Sequence, residues 1–257
     1  MGTKRGFCEF DSSMLHILAM TLMVFDHAWA TLFPTQYWMT CIGRIAFPIF
    51  AFMIAEGFFY TKDFKKYLLR MVIFAVVSEI PFNLMMSGPI DPFSQNVMWT
   101  FVIALLAMKL LDNIKKKFIN RFENKIFNLT IVIVLSCLVT LVAYGLGYIT
   151  FVDYYGAGVL MVLAFYFLRG KKWWNYLTQL AAMYYINVVL LGSRYFEVTL
   201  FGHTFELFQQ GLGILALIPI WLYRGRKGYD KKWFKYFCYA FYPAHMLILV
   251  GIGYLTR

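Results

Sequence analysis

The segment Leu22–Phe59, with the sequence LMVFDHAWATLFPTQYWMTCIGRIAFPIFAFMIAEGFF, decides the fold of this chain. Two apolar runs flank a short loop, which is the pattern of one membrane helix, a turn and the next membrane helix. The segment also contains Asp26, His27, Arg44 and Glu56. Ionisable side chains inside a bilayer are expensive and are usually retained for a function. We therefore predict that a reaction site lies in this part of the chain.

The composition of the whole chain indicates an integral membrane protein. Of 257 residues, 61% are hydrophobic, 20% aromatic and 14% charged. Soluble domains contain about 25% charged residues. We predict one membrane domain over residues 1–257, with no extramembrane module. The cysteines Cys8, Cys41, Cys137 and Cys238 show no paired spacing, so neither a metal site nor a disulfide is predicted.

Nine segments approach the length of about 20 apolar residues that a spanning helix needs. We therefore predict an all-α, polytopic bundle of about nine transmembrane helices. The first segment is too long for a signal peptide, and we expect it to remain in the membrane. The segments are Ser12–Phe33, Tyr37–Tyr60, Phe64–Gly88, Asn96–Leu111, Phe127–Ile149, Asp153–Leu168, Trp173–Leu191, Phe205–Tyr223 and Phe234–Leu255.

The basic residues predict the orientation of these helices. With the N-terminus in the cytoplasm, all but three of the 24 Lys and Arg residues, Lys4 and Arg5 included, fall on cytoplasmic segments. The exceptions are Arg44, Arg194 and Arg257. The net charge of +11 is therefore a topology signal and does not indicate nucleic-acid binding. The prediction is a multi-pass protein of the plasma (inner) membrane with its C-terminus outside.

Polar side chains of several predicted helices fall at similar depths. With a rise of about 1.5 Å per residue, His27 and Arg44 lie about 9 and about 10 Å from the outer ends of consecutive helices. Other polar residues fall in the same outer-to-middle layer: Glu79, Asn83, Asn96, Thr100, Asp153, Tyr155, Glu206, Gln210, Gly213 and His245. Polar groups that face lipid are strongly unfavourable. The layer therefore predicts a polar cavity between helices.

Structural interpretations of the same residues remain open. Arg44 and Glu79 are also consistent with a buried ion pair that only joins helices. Asp153 suits a helix cap, and membrane histidines often make interhelical hydrogen bonds. His16 and His27 lie on one stripe of the first helix, together with Met20 and Met23, and this stripe could line a path from the cytoplasmic side.

Seven stretches, spread over nearly the whole chain, resemble the TraX family. The family's namesake looks like an acetylase of the pilin N-terminus in conjugation, and the family is similar to the wider class of transmembrane acyltransferases. The resemblance implies transfer of an acetyl group from cytoplasmic acetyl-CoA to a hydroxyl or amine in or across the membrane. The stretches are MVFDHAWATLF (23–33), IGRIAFPIFAFMIAEGFFYT (42–61), YLLRMVIFAVVSEIPFNLM (67–85), NVMWTF (96–101), DYYGAGVLMVL (153–163), LYRGRKG (222–228) and KYFCYAFYPAHMLIL (235–249).

The same resemblance implies roles for individual residues. Transmembrane acyltransferases have a reactive histidine near the outer end of an early helix, which would be His27. As a hypothesis, His27 deprotonates the acceptor and is oriented by Asp26 or another carboxylate. Asp26 could instead pair with a neighbouring helix, since adjacent helical residues point in different directions. Arg44 would stabilise the developing oxyanion or bind the donor. His245 is a second candidate for the base or for a covalent acyl carrier.

Basic residues at the cytoplasmic side are candidates for binding the acetyl-CoA phosphates. We predict Arg70, Arg224, Arg226 and Lys227 for this role, with LYRGRKG as the best single stretch, although the same residues also serve as topology signals. The acceptor stays open among a glycan, a peptide amine and a small metabolite. Further substrate contacts are predicted at Glu79, Asn83, Asn96, Asp153 and Tyr155.

Two other functions compete with the enzyme. Buried His, Asp, Glu and Arg residues also serve proton relays, so a secondary transporter or proton-coupled carrier is the main alternative. Transporters often contain paired repeats, and no repeat is visible in this chain. A non-enzymatic assembly factor in the membrane is the third interpretation, but it does not explain the layer of polar groups.

Overall fold

The computed structural model describes residues 9–86, 88, 91–200 and 203–256, and the predicted features at Lys4, Arg5, Cys8 and Arg257 lie outside them. Most of the described chain is helical. A π-helical stretch, Tyr185–Leu190, continues α8, and a 3₁₀ stretch, Gln209–Ala216, precedes α9. The elements are α1 (Ser12–Thr31), α2 (Tyr37–Gly43), α3 (Ala46–Tyr60), α4 (Phe64–Met86), α5 (Val97–Phe118), α6 (Lys125–Ile149), α7 (Tyr155–Phe167), α8 (Trp173–Tyr184), β1 (Tyr195–Leu200), β2 (His203–Phe208), α9 (Leu217–Leu222) and α10 (Lys232–Leu255).

Polar side chains cap three of the long helices at their N-termini. Asp11 accepts a hydrogen bond from the Met14 N–H before α1, at 3.0 Å. Asn96 caps α5 and Asn124 caps α6 in the same way. The first N–H groups of a helix have no partner inside the helix, so these side chains fix where the helices begin.

Six stretches of the described chain are long and apolar enough to cross a membrane. They are α1, the segment Tyr37–Tyr60, α4, α5, α6 and α10. The prediction of a polytopic helical membrane protein is thus confirmed, but the predicted count of nine spans is not. The predicted spans at Asp153–Leu168 and Trp173–Leu191 contain α7 and α8, with 13 and 12 residues.

The predicted span Phe205–Tyr223 is wrong in its first part. It begins within β2, which pairs antiparallel with β1 over Tyr195–Leu200 and His203–Phe208. Glu206 therefore lies on an exposed strand and does not share a helical stripe with Gln210 and Gly213. The described chain is consequently not all-α.

The predicted span Tyr37–Tyr60 is interrupted at Arg44 and Ile45, which separate α2 from α3. Pro48 explains the position of the break. Proline has no N–H to donate to the carbonyl of Arg44, four residues earlier, so a continuous helix would leave that carbonyl without its usual partner. The break places Arg44 at the junction of two helices, inside the bundle.

The helices α3, α5 and α7 pack together at the centre of the bundle, and α1, α4 and α10 pack beside them. Leu15, Ile49, Leu105 and Met161 are fully buried in this core. By contrast, only 11% of the most apolar stretch of α6 is buried within the protein, although α6 is strongly apolar. Such a surface suits contact with lipid chains.

The chain segments at one end of the bundle carry most of the basic residues, and we call this the basic end. The beginning of α1, the turn between α3 and α4 and the loop 223–231 meet there around one cavity. The opposite end contains the end of α1 and the beginning of α2. The two ends differ in their content of basic residues, and both contribute to the candidate site.

Candidate active site

Two histidines that are 218 residues apart in sequence meet between α1 and α10. His27 Nδ1 lies 2.6 Å from His245 Nε2. The two imidazole rings are nearly parallel, with centroids 4.8 Å apart. We call these residues the histidine pair. The contact brings together the two histidines that the sequence indicated as candidate bases.

The hydrogen bonds of the pair determine which ring nitrogens carry hydrogen. His245 Nδ1 lies 2.7 Å from the carbonyl oxygen of Phe241. A carbonyl only accepts hydrogen bonds, so His245 Nδ1 is the donor, and Nε2 of the neutral ring is an acceptor. The hydrogen between the rings therefore belongs to His27 Nδ1. When both rings are neutral, His27 Nε2 carries a lone pair.

Asp26 neighbours His27 in sequence but its carboxylate contacts α2 and the helix break. Asp26 Oδ1 accepts a hydrogen bond from Thr40 Oγ1 at 2.7 Å and forms an ion pair with Arg44 Nη2. The Arg44 Nε group also donates to the Thr40 carbonyl at 3.3 Å. We call Asp26, Thr40 and Arg44 the arginine cluster. The hypothesis that Asp26 orients His27 is wrong, because the partner of His27 is His245.

The arginine cluster continues into the second half of the chain. Arg44 Nη1 donates to Gln210 Oε1 at 3.4 Å, and Gln210 Nε2 donates to Asn187 Oδ1 at 3.3 Å. Asn187 lies in the π-helical stretch, a distortion that is often found at functional sites. Thr40, four residues before Arg44, was detectable as a helical neighbour. The Asn187 contact had no signal in the sequence.

Gly43 leaves the space that the Asp26 side chain occupies. A Cβ atom at position 43 would overlap the Cβ and carboxylate of Asp26. We expect Gly43→Ala to lower the free energy of unfolding by about 1–3 kcal/mol, the usual range for overpacking. Thermal unfolding in detergent measures this change. Gly145→Ala is the matched control, because nothing lies within 4 Å of a Cβ there; equal effects of the two substitutions would contradict the prediction.

Glu79 belongs to a separate cluster that joins α4 to α5. Its carboxylate accepts hydrogen bonds from Asn83 at 3.1 Å, from Trp99 at 3.0 Å and from Asn96. Glu79 and Asn83 share a helix face, as predicted. The alternative of an ion pair between Arg44 and Glu79 is wrong, because Asp26 is the partner of Arg44. With amide and indole donors around it, Glu79 is well suited to hold helices together.

Asp153 and Tyr155, the two predicted substrate contacts at the start of α7, lie in different surroundings in the structure. Asp153 lies near enough to Arg44 for their charges to interact. Its carboxylate accepts from the Tyr154 N–H at 3.0 Å and does not cap the helix. Tyr155 is 49% exposed and stacks on Tyr148, away from these groups. The neighbouring Tyr154 faces the arginine cluster instead, and the sequence offered no means of choosing between the two tyrosines.

A cavity of about 490 Å³ opens at the basic end of the bundle. Its described basic lining residues are Arg70, Lys227, Lys231 and Lys235, and tyrosines and phenylalanines form much of the remaining wall. Arg70 Nε is buried and has no hydrogen-bond partner among the described residues. No group of three or more metal-ligating side chains occurs in the described chain. The cavity therefore suits a ligand with an anionic group and an apolar part.

The two acidic residues of the described cavity lining have basic partners. Glu56 Oε1 lies 2.5 Å from Arg169 Nε, and Asp230 Oδ2 lies 2.9 Å from Lys227 Nζ. The hydrogen bond to Glu56 raises the pKa of Arg169 above its usual value. The Glu56 charge is thus neutralised within the protein. Arg70 has no such acidic partner in the described residues, and the cavity keeps an excess of positive charge.

Arg224 and Arg226 lie outside this cavity, although Arg70 lines it. Both arginines form ion pairs with Glu9, each at 3.4 Å. They line a smaller pocket of about 120 Å³ on the protein surface. The structure therefore separates Arg70 and Lys227, which line the cavity, from Arg224 and Arg226, which the sequence grouped with them as donor ligands.

An apolar barrier separates the cavity from the histidine pair, and neither histidine of the pair is among the described lining residues. Phe50 and Met98 line the cavity and pack against a buried apolar cluster that contains Met23, Tyr242 and Met246. Met23 precedes His27 by one turn of α1, and Tyr242 and Met246 flank His245 on α10. The barrier consists of these five residues. The predicted stripe on α1 runs from His16 in the cavity wall, past the barrier, to the histidine pair.

Comparison with known proteins gives two matches of nearly full length. The family model described as TraX protein matches residues 11–253. A protein from Dichelobacter nodosus, "Probable fimbrial assembly protein FimC, serogroup H1", is 26% identical over 254 residues. This alignment covers 94% of the present chain and 95% of the relative. No solved structure matches the chain.

Proposed function

The chain belongs to the TraX family, and from this membership and the site geometry we propose that it is a membrane-embedded acetyltransferase. The whole chain would form one acyltransferase domain. Acetyl-CoA would be the donor, and a hydroxyl or amine in or across the membrane would be the acceptor. With the basic end in the cytoplasm, as the distribution of Lys and Arg predicts, the donor cavity faces the compartment where acetyl-CoA is made. The membrane would be the plasma (inner) membrane.

The contact between His27 and His245 carries this proposal. Residues 218 positions apart provide a base with a defined lone pair, at the membrane-buried face of α1. The Arg44 charge acts on the same histidine. A base within electrostatic range of a fixed cation is an arrangement that suits acyl transfer.

In the proposed reaction, His27 Nε2 accepts the proton of the acceptor hydroxyl or amine. The acceptor oxygen or nitrogen attacks the thioester carbonyl carbon, and the carbonyl oxygen becomes an oxyanion. Arg44 stabilises this charge, and Asp26 holds the guanidinium in position. The carbon–sulfur bond then breaks, and the departing thiolate takes the proton from His27. His245 accepts the His27 Nδ1 hydrogen bond throughout and keeps the ring oriented.

The cavity at the basic end is the proposed binding site of acetyl-CoA. Arg70, Lys227, Lys231 and Lys235 would contact the phosphates, and the aromatic wall would contact the adenine. The thioester would reach the histidine pair only after the barrier opens. The side chains of the barrier, two methionines among them next to the histidines, are flexible enough to repack around a thin pantetheine arm.

Neutralising Arg70 is expected to weaken acetyl-CoA binding. A charged hydrogen bond contributes about 1.5–3 kcal/mol, so we expect Arg70→Gln to raise the Kd about 10-fold or more. Isothermal titration of the detergent-solubilised protein measures the effect. The double substitution Arg224→Gln and Arg226→Gln removes the same kind of charge outside the cavity, and we expect it to change the Kd less than 3-fold. The reverse order of effects would move the donor site to the surface pocket of Arg224 and Arg226.

Purified protein offered radiolabelled acetyl-CoA tests the whole proposal. A peptide amine and a glycan hydroxyl are supplied in parallel as acceptors, and thiol release and label transfer are followed. Specific donor binding together with thiol release supports the enzyme. Substrate flux into vesicles without thiol release would support the carrier instead.

The name of the D. nodosus relative favours a second candidate, a factor that assists fimbrial assembly without group transfer. The two candidates differ in what the histidine pair must do. If His27→Ala preserves fimbrial or pilus assembly in cells that otherwise depend on the protein, the assembly role does not require the proposed chemistry.

A further inference from the structure

The turn between α6 and α7 contains three aromatic residues in the left-handed region. The φ angles of Phe151, Tyr154 and Tyr155 are 53°, 60° and 47°. Bulky residues with positive φ are outliers, and each costs on the order of 1–2 kcal/mol. A strained conformation persists only where the surrounding structure enforces it, and such residues cluster at functional sites.

Hydrogen bonds from the start of α5 enforce this turn. The Gln95 N–H donates to the Phe151 carbonyl at 2.9 Å, and the Asp153 N–H donates to the Gln95 carbonyl at 2.9 Å. The Thr100 hydroxyl donates to the Asp153 carbonyl at 2.6 Å. These bonds fix the turn immediately before Tyr154, the residue with the largest positive φ of the three, and the Gly158 N–H donates to the Tyr154 carbonyl at 2.8 Å.

The left-handed conformation places the Tyr154 ring against Phe47. The two rings are parallel within 5°, with centroids 3.9 Å apart. Gly158 makes this position possible, because a Cβ there would lie 2.8 Å from Tyr154 Cβ and 3.2 Å from Phe47 Cζ. Phe47 follows Arg44 by three residues, just beyond the helix break. The stack therefore holds the phenol beside the arginine cluster.

Tyr154 lies within electrostatic range of both parts of the site. It interacts with Arg44, Asp26 and Asp153. It also interacts with Tyr242, whose ring lies 6.3 Å from the His27 ring and 5.9 Å from the His245 ring between centroids. Within the described residues, the Tyr154 hydroxyl makes no hydrogen bond. A hydroxyl that has no partner among the described residues, and that lies within electrostatic range of the Arg44 cation, is available for a substrate.

We propose that Tyr154 is a further catalytic residue, whose hydroxyl donates a hydrogen bond to the acyl carbonyl oxygen beside Arg44. This inference rests on the proposed acetyl transfer. A phenol with a usual pKa of about 10 is protonated at neutral pH and can donate. The hydrogen bond shortens and strengthens as the carbonyl oxygen becomes an oxyanion, and the proton stays on the phenol. The donor acts on the developing charge, so it should affect kcat more than KM.

The substitution Tyr154→Phe tests the proposal, because it removes the hydroxyl and keeps the ring that stacks on Phe47. Loss of one oxyanion donor usually lowers kcat by about 10²–10³-fold. We expect a loss of this size with KM for acetyl-CoA changed less than 3-fold. Tyr155→Phe is the matched control at the adjacent, exposed tyrosine, and we expect it to retain the wild-type kcat. An unchanged kcat for Tyr154→Phe would overturn the assignment.

Two further measurements separate this inference from the proposed function. If wild-type protein releases thiol and His27→Ala does not, but Tyr154→Phe is fully active, only the role of Tyr154 fails. If the wild-type protein releases no thiol with any acceptor, the proposed function fails and the role of Tyr154 falls with it. Thermal unfolding shows whether Tyr154→Phe still folds; a large fall in kcat at an unchanged melting temperature supports the catalytic role.

Discussion

Replacing His27 with alanine is expected to lower the rate of acetyl transfer by about 10²–10⁴-fold, the usual contribution of a general base. The substitution removes the Nε2 lone pair, for which the described site offers no replacement at the same place. His245 Nε2 faces the lost ring, but its other nitrogen is held by the Phe241 carbonyl. Initial rates of thiol release, normalised to protein in the membrane, measure the effect.

Variants of His245 distinguish an orienting role from a second base. Gln at position 245 can still offer an amide oxygen to the His27 Nδ1 hydrogen, whereas Ala cannot. We therefore expect His245→Gln to retain more activity than His245→Ala. His203, on the exposed strand β2, provides the control His203→Ala, which should transfer at the wild-type rate. Full activity of His27→Ala would exclude His27 as the base.

Replacing Asp26 with asparagine is expected to destabilise the fold as well as to reduce activity. The side chains of Arg44 and Asp26 are only 21% and 16% exposed. Removing one member of a buried ion pair leaves the other charge without compensation, which commonly costs about 3–5 kcal/mol. Because this pair keeps some exposure, we expect about 3 kcal/mol, measured by chemical unfolding in detergent.

A double substitution separates the stability effect from the catalytic effect. Asp26→Asn combined with Arg44→Gln removes both charges, so we expect it to recover much of the lost stability. It should not recover the proposed acetyl transfer, because the cation that we propose to stabilise the oxyanion is absent. Asp112→Asn, which breaks an exposed pair with Lys116 on α5, is the control; surface pairs contribute about 0–1 kcal/mol. A similar loss from Asp112→Asn and Asp26→Asn would contradict the buried role.

The hairpin shows why one predicted span failed. Hydropathy identified the region 205–223 as apolar and therefore as a helix. Tyr195–Leu200 and His203–Phe208 instead alternate aromatic or β-branched residues with polar ones around Gly202, a pattern that favours strands. This two-residue alternation was hidden by the overall apolar composition of the region. Pro48 likewise encodes the break at Arg44, because it cannot donate a hydrogen bond to the Arg44 carbonyl. The structural result of the break depends on the tertiary surroundings of that carbonyl, which the local sequence does not give.

The contacts between side chains in the site depend on the directions of those side chains, which the spacing of residues in the sequence does not give. Asp26 and His27 are adjacent and differ by about 100° around the helix, so one contacts Arg44 and the other contacts His245. Tyr154 and Tyr155 differ in the same way, and a left-handed turn decides which of them faces the cluster. In both pairs the two residues are adjacent in sequence, and the direction of each side chain determines which of them contacts which group.

The sequence by itself determined that this is a helical membrane protein of the TraX family, because apolar length and family motifs are local properties of the chain. It also indicated which ionisable residues lie in apolar surroundings. Only the tertiary structure decided which of them meet: His27 with His245, Arg44 with Asp26, and Arg70 with the cavity. The physical reason is that burial makes an unpaired polar group so unfavourable that packing selects a partner, and that partner can lie far along the chain, as His245 does for His27.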